Sequence, residues 1–553
     1  MAGSLTRATL LGVAAVACGA VALQYGPAGA GEAARARPAQ APATPSAQAV
    51  VQRAAQALGG AEKIRAIRNI SAFGYAQLVY MSGEGRIDGS AEAPEKLIAA
   101  NDLSRVYDLE HNRFQQRERR NNLFPFLIPR GHDWALQDLR LDGDVAFNIN
   151  AQGQAARIAR WSDADGVHMR RMWMLNNPVA LVRTMMDPAT KLSAPRRLGG
   201  RTVIDVTLKE GDKLTAAFAA DGKPYSVSWS NPQTNLGQAN YTTTFSGWVH
   251  WDGQGGVLMP LGYDTRLDWR GIDYLKMYVD AYKVDSAIPD LAAPASVAAA
   301  PEPPSYPVQP VTSVVVAPGI WRINQGGTTV VEFKDHLVLF ELGQNVRQAK
   351  AVLAYARTLA PGKPIRYLIP SHNHFDHTSG LRQAVAEGIT IIGRPASGVQ
   401  FREMSAHAAP DFPDDLAKAP KPLKFVVVDE HMRLRDETRT LDVYWGRNNG
   451  HMADVVFAYD PNAKVMMEGD MVTAAYEWQH WPDTFRDATA YYKLDVEKIS
   501  PVHSVWPEHP DVLTRAQGEE LLKGGVERAR KNCADQLAKG VYHPGCPIQS
   551  KYY

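Results

Sequence analysis

The sequence predicts a mainly antiparallel β region over residues 48–286, followed by an α/β region over residues 311–553. Three observations carry this. From about Ile70 to Val284, short stretches of alternating apolar and polar residues recur, punctuated by Gly, Asp and Asn, as in antiparallel strands joined by tight turns. Residues 287–310 are rich in Ala and Pro and read as a semi-rigid linker. Beyond them helical and strand patterns alternate, which is the grammar of an α/β unit.

At 553 residues the chain is too long for one hydrophobic core, and two to three domains are expected. Hydrophobic residues at 45% and charged residues at 21% suit a globular protein rather than a disordered or multi-span membrane chain. The net charge of +2 supplies no broad field for nucleic acid. A local cluster, Arg113, Arg117, Arg119 and Arg120, reads as a solvated face or strand edge rather than an anion site.

Residues 1–30 read as a signal peptide: Arg7, an apolar run from Ala8 to Leu23, and the small-residue cleavage pattern Ala28-Gly29-Ala30. An uncleaved anchor is a second reading. A lipoprotein anchored at Cys18 is a third, weakened because Ala15 stands where Leu is usual. All three place the body outside the cytoplasm, in the periplasm, and no later run of about 20 apolar residues offers a transmembrane helix to the mature chain. Residues 31–47 form a flexible lead-in. A helix follows from Ala47 to Leu58, with apolar residues at helical spacing and Gly59-Gly60 as its stop.

Strands are then expected at Ser71–Tyr80, Thr202–Leu208, Leu214–Phe218, Tyr225–Trp229 and Tyr241–Trp248, interrupted by a helix near Pro178–Met186. Trp229, Trp248, Trp251 and Trp269 read as core or rim. After the linker, Thr312–Asn324, Thr328–Phe333 and His336–Glu341 read as strands, Asn345–Leu359 as a helix and Pro364–Pro370 as a buried strand. Cys533 and Cys546 in the tail are expected to form a disulfide in an oxidising compartment.

Directly after Pro370 comes Ser371-His372-Asn373-His374-Phe375-Asp376-His377-Thr378-Ser379-Gly380. In an extended segment His372 and His374 point the same way, which suits two nitrogens on one metal. Asp376 and His377, past the strand end, can turn toward a second metal. Imidazole with carboxylate suits zinc, with iron or manganese open. Thr378 or Ser379 is expected to cap a helix starting at Gly380. An isolated histidine is ordinarily a hydrogen-bonding core residue; three with an acid at one strand end are not.

The run His372-x-His374-x-Asp376-His377 resembles the signature of the metallo-β-lactamase superfamily, over about residues 311–530. The resemblance implies an αββα sandwich with two divalent metal ions at one edge of its sheets. It implies His451, after the strand Leu441–Trp445, as the third ligand of the first metal. It implies Asp470, after Val465-Met466-Met467-Glu468-Gly469, as the carboxylate bridging both, and His503 as the last ligand. His509 is a competing choice for that last position. Aspartate rather than cysteine at the bridge is similar to the broad hydrolase branches. Arg394 stands where relatives often carry another histidine. His407 and His431 read as ordinary surface or core residues.

The mechanism so implied is hydrolysis: two ions bring a shared, bridging water to hydroxide near neutral pH, it attacks an ester, lactone, amide or related bond of a small-molecule substrate, and Asp376 shuttles the proton. Arg447, Asn448 and Asn449 are candidates to hold substrate, and His480, between Trp478 and Trp481, to wall the pocket. No Gly-x-Ser-x-Gly elbow surrounds a serine nucleophile. The stretch before the first strands loosely resembles lipoprotein-carrier-like envelope domains, which implies a lipid or envelope partner for the N-terminal sheet. Two other readings stand beside the hydrolase: a mononuclear iron persulfide-type dioxygenase of the same superfamily, and a non-enzymatic envelope lipid- or lipoprotein-binding protein.

Overall fold

A computed structural model describes residues 45–553 except 82–84, 87–91, 123–134, 151, 164, 251–255, 448, 450, 473–480, 504–510 and 540–553. The expected signal peptide and most of the lead-in lie outside the described residues, as do Trp251, Asn448, His480, His509 and the Cys533–Cys546 pairing.

The N-terminal half is built on a 14-stranded antiparallel sheet whose first strand, Asn69–Val79, pairs with both Leu97–Asp108 and the last strand, Asp273–Val284. Four helices, Ala47–Ala57, Ala61–Ala66, Val167–Leu175 and Pro178–Met185, bury apolar residues such as Val51, Ile64, Met172 and Val182 in the same core as Tyr107, Leu139 and Phe218 of the sheet. Trp229 and Trp269 are buried in it and Trp248 packs against it. The helix Val167–Leu175 was not expected. All nine of its residues are buried, Arg170 and Arg171 included, so no polar face marks it in the sequence. The arginine-rich strand Arg113–Asn122 has neighbours on both sides, so it is not an edge. Arg113 pairs with Asp142, Arg119 with Asp102 and Arg120 with Glu118.

The C-terminal half has two sheets face to face. The first runs from Ser313–Ala317 to Phe425–Val427 in seven strands, and the second from His431–Arg435 to Leu513–Thr514 in six. Val331, Phe340, Ile369, Val443, Val456 and Met467 fill the space between them. Helices Val346–Leu359, Leu381–Glu387 and Pro395–Ala406 cover the outside of the first sheet, and Trp481–Tyr491 and Arg515–Ala538 that of the second. The layers are therefore α, β, β, α. Strands covered on both faces read as near-continuous apolar runs: Leu337–Phe340 and Val465–Glu468 are buried throughout, and Glu468 is their one polar residue.

The single strand expected over Thr312–Asn324 is two, Ser313–Ala317 and Ile320–Ile323, because Pro318-Gly319 turns the chain with Gly319 at φ 71°. In the stretch between the halves, Leu291 and Val297 are buried and the Tyr306 hydroxyl donates to Asp163 at 2.6 Å. Residues 45–553 form one compact unit. Among the described residues, no helix is long and apolar enough to cross a membrane.

Candidate metal centre

Parallel pairing sets the site. Leu337–Phe340 runs parallel to Ile365–Ile369, and Val465–Glu468 runs parallel to Lys498–Pro501. The carboxyl ends of Ile365–Ile369, Val465–Glu468 and Lys498–Pro501 deliver the 371–377 loop, Asp470 and His503 to one rim. His451 joins them from the turn after Thr440–Trp445, where Asn449 Oδ1 accepts from the backbone N–H of His451 at 2.8 Å and of Met452 at 3.1 Å.

Two groups of donors result. His372, His374, His451 and Asp470 form one; Asp376, His377 and His503 form the other. In the first, His372 Nε2 lies 2.9 Å from His374 Nδ1 and 3.2 Å from His451 Nε2, and His451 Nε2 lies 3.0 Å from Asp470 Oδ2. In the second, Asp376 Oδ2 lies 3.5 Å from His377 Nε2 and 3.4 Å from His503 Nε2. Asp470 serves both, because its other oxygen, Oδ1, lies 3.4 Å from His377 Nε2 and 3.0 Å from His503 Nε2. All seven expected donors are brought together. The segment from Ser371 to His374 is a series of bends rather than an extended strand, yet the two imidazoles converge as anticipated.

The donor set fits metal. His377 Nε2 and Asp470 Oδ1 are both buried without a hydrogen-bond partner although 3.4 Å apart, which is how ligands aimed at a common centre look. Donors about 2.0–2.2 Å from a tetrahedral ion stand roughly 3.3–3.6 Å from each other, comparable with these separations. The charges agree. Burial, then neighbouring histidines and Lys96, hold His372, His374 and His451 below the usual histidine range, so they are neutral ligands. Burial also pulls His377 and His503 down, but facing carboxylates outweigh it. Asp376, Asp470 and Glu341 raise His377 well above the usual range, and Asp470 and Asp376 raise His503 to about 10. Burial opposes ionisation of Asp376 and Asp470, yet the histidines hold both carboxyls low. The carboxylates of the second group thus favour positive charge beside them, the preference that a bound cation would meet.

Several supporting residues were not anticipated. Glu341, at φ 67°, accepts from Ser371 N–H at 2.7 Å and lies 3.3 Å from His377 Nδ1, the nitrogen turned away from the donor group. Ser371 Oγ lies 2.8 Å from His372 Nδ1. Lys96 of the N-terminal sheet places Nζ 2.8 Å from His374 Nε2. Burial pushes the Glu468 carboxyl up to about 8, while it accepts from Met471 and Val472 N–H at the turn that presents Asp470. Glu341 and Lys96 come from distant segments, so no local spacing reveals them, and Ser371 and Glu468, though they adjoin His372 and Asp470, are of common type.

Thr378 and Ser379 do not cap the helix Leu381–Glu387; Gly380 stands at its N-cap with no side-chain bond. Residues Phe375–Thr378 already form a helical turn, so Thr378 Oγ1 donates to His374 O at 2.9 Å and Ser379 Oγ to Phe375 O at 2.5 Å. Of the residues expected at substrate, Asn449 is occupied in shaping the His451 turn. Arg447 is paired with Glu430 at 2.9 Å, its guanidinium over Tyr491. Arg394 donates to Val428 O at 3.0 Å. His407 and His431 sit beside Asp268 and Asp442, outside both groups.

Comparison with known proteins gives the following. A family model described as the metallo-beta-lactamase superfamily matches residues 322–503. Similar solved structures include a metallo-beta-lactamase from Pontibacter korlensis, 17% identical, covering 39% of this chain and 99% of that one with a TM-score of 0.30. Another is a metallo-beta-lactamase from Hirschia baltica, 17% identical over 40% of this chain and 98% of that one, with a TM-score of 0.29. Among curated proteins there is no match. The family match and the αββα layering together make residues 322–503 a metallo-β-lactamase superfamily domain.

Proposed function

We propose that this chain is an exported, dinuclear metal-dependent hydrolase acting on an ester, lactone, amide or related bond. One observation carries the reading: two complete donor groups lie side by side and share the two oxygens of Asp470. His372, His374 and His451 with Asp470 would hold one ion, and Asp376, His377 and His503 with Asp470 the other. When bound, a pair of divalent ions, zinc by donor chemistry, supplies Lewis acidity that makes water nucleophilic near neutral pH and polarises the scissile bond.

The side chains have distinct tasks. Asp376 is the most open donor, its side chain 36% exposed against 0–3% for His372, His377 and Asp470. Its carboxylate can take the proton of the attacking water and return it to the leaving group. Glu341 fixes the ring of His377. A mononuclear dioxygenase has no need of the second group, which is complete here.

The test is metal content and turnover of the purified mature chain against ester, lactone, phosphoester, sulfate and β-lactam panels. Two zinc ions per chain and hydrolysis are expected. Asp376→Ala should lower kcat by about 10²–10⁴-fold with circular dichroism unchanged. One iron with oxygen consumption, or undiminished turnover in that variant, overturns the reading. Amino-terminal sequencing of the secreted form should begin after Ala30.

A further inference from the structure

We infer that the N-terminal sheet is a working part of the metal centre, and that Asn235 is a positioning residue for Asp376 and His377. The inference rests on the dinuclear reading above. The turn that carries those two ligands, Phe375–Thr378, is four residues long. One helical turn does not stabilise itself, because fixing its dihedrals outweighs the few hydrogen bonds it closes. Its rigidity must come from outside.

It comes from the other half of the chain. Thr234, Asn235 and Leu236 join the strands Pro224–Gln233 and Gly237–His250 and are all buried. Asn235 Nδ2 donates to Phe375 O at 2.7 Å and to Thr378 Oγ1 at 3.0 Å. Thr378 Oγ1 passes its own proton back to His374 O at 2.9 Å. One amide thus grips the residue before Asp376 and the residue after His377.

The amide is itself held. Gln233 Oε1 accepts from the backbone N–H of Asn235 at 2.7 Å and of Leu236 at 2.8 Å. Thr234 N–H donates to Asp163 at 3.2 Å, the carboxyl that also takes the Tyr306 hydroxyl. The Trp269 ring, from the turn between the strands Leu258–Leu267 and Asp273–Val284 of that sheet, lies 5.5 Å from that of Phe375. Both bonds of the Asn235 amide go to the frame of the loop and neither to a donor atom. The consequence is asymmetric: Asn235 governs the Asp376–His377–His503 group more than the His372–His374–His451 group.

The experiment titrates zinc into the apo full-length chain against a competing chelator, reading both affinities. Cobalt(II) substitution reports the geometry of each group by its visible absorption. Asn235→Ala should weaken the second ion by about 10–100-fold, the effect of removing a group that orients ligands, and leave the first within a few-fold. Thr378→Val removes the bond of Asn235 to the hydroxyl but leaves the one to Phe375 O, and should reproduce part of the loss. Thr378→Ser keeps the hydroxyl and should behave as wild type. The double variant Asn235→Ala/Thr378→Val should lose little more than Asn235→Ala alone, because that change already deletes the bond between the two side chains.

An unchanged second affinity, or an equal loss at both groups, in a folded Asn235→Ala protein overturns the inference. If that variant fails to fold, Thr378→Val decides alone, and wild-type zinc binding there is equally fatal. A wild-type chain that binds no second ion instead sinks the dinuclear reading, a different result.

Discussion

Asp470 adopts φ 62°, in the left-handed region that a side chain enters at a cost of about 1–2 kcal/mol. The cause is its neighbour. Gly469 lies against Ser371, where an added Cβ would fall 2.0 Å from Oγ, and this close passage makes the chain turn sharply enough to aim both Asp470 oxygens at the two groups. Strain at the shared ligand is thus bound up with the 371–377 loop. A second buried charge cluster lies outside both donor groups. Asp212 is 3% exposed and meets Arg171, His168 Nδ1 at 2.8 Å and Arg160 at 3.0 Å. Burial opposes its ionisation, but His168 and the arginines prevail and depress it to about 2. An aspartate depressed from an unfolded value near 3.9 stabilises the fold by about 2 kcal/mol above that pH, and loses it as pH falls toward 2. Asp212→Asn should therefore cost about 2–4 kcal/mol in urea unfolding at pH 7, since it leaves buried Arg171 with the exposed Asp144 as its remaining counterion, and the gap to wild type should shrink between pH 4 and pH 2. A gap independent of pH would refute the assignment. The contrast with the metal donors explains what the sequence discloses. His372, His374, Asp376 and His377 crowd into six positions and announce themselves. Asp212, Glu341 and Asn235 are single residues of common type whose partners lie 30 or more positions away.

At the scale of elements, the two sheets of the C-terminal half are bound by a turn at the rim that carries the donor groups. Gly327, φ 58°, follows the strand Ile320–Ile323 and passes the end of Lys498–Pro501 so closely that a Cβ would sit 1.9 Å from Val502 O. Arg322 reinforces the junction, donating through Nε to Pro501 O at 3.0 Å. His503 directly follows Val502, so its position depends on this contact. Gly327→Ala should displace it, lowering stability by about 2–4 kcal/mol from backbone strain and overpacking together, with loss of zinc from the second group first. Gly362→Ala is the control: φ is 84°, but nothing lies within 4 Å of the added carbon. It should lower the melting temperature only slightly and keep full zinc. Equal zinc loss in the two variants would discredit the junction. Elements with a strong period or a cap were legible, such as Val346–Leu359 behind its Asn345 cap. The helix Val167–Leu175 was not, because burying it on every side erased the amphipathic pattern by which helices are recognised.

Across the whole molecule, one buried cluster runs from Ala47 to Leu416, joining the N-terminal sheet to the helices outside the first C-terminal sheet. Polar contacts follow the same boundary. Gln238 Oε1 accepts from Asp411 N–H at 2.8 Å, Ser230 donates to Asp411 at 2.6 Å, and Arg270 pairs with Glu403 at 2.5 Å. Composition could not reveal this, because Ala and Pro look alike in a free linker and in a packed strap. Here Leu291 and Val297 bury themselves along the strap. Separable domains unfold independently, whereas halves that share a core expose each other's apolar surface when either opens. Calorimetry of the full chain should accordingly show a single transition over both halves, with a van't Hoff enthalpy close to the calorimetric one. Saturating zinc should raise that transition as a whole, because an ion bound only by the folded state stabilises everything that must unfold with its site. Two resolved transitions, with zinc moving just the later-melting or earlier-melting one, would mean that the halves merely touch, and that the grip of Asn235 on the metal loop is not coupled to the stability of the sheet that supplies it.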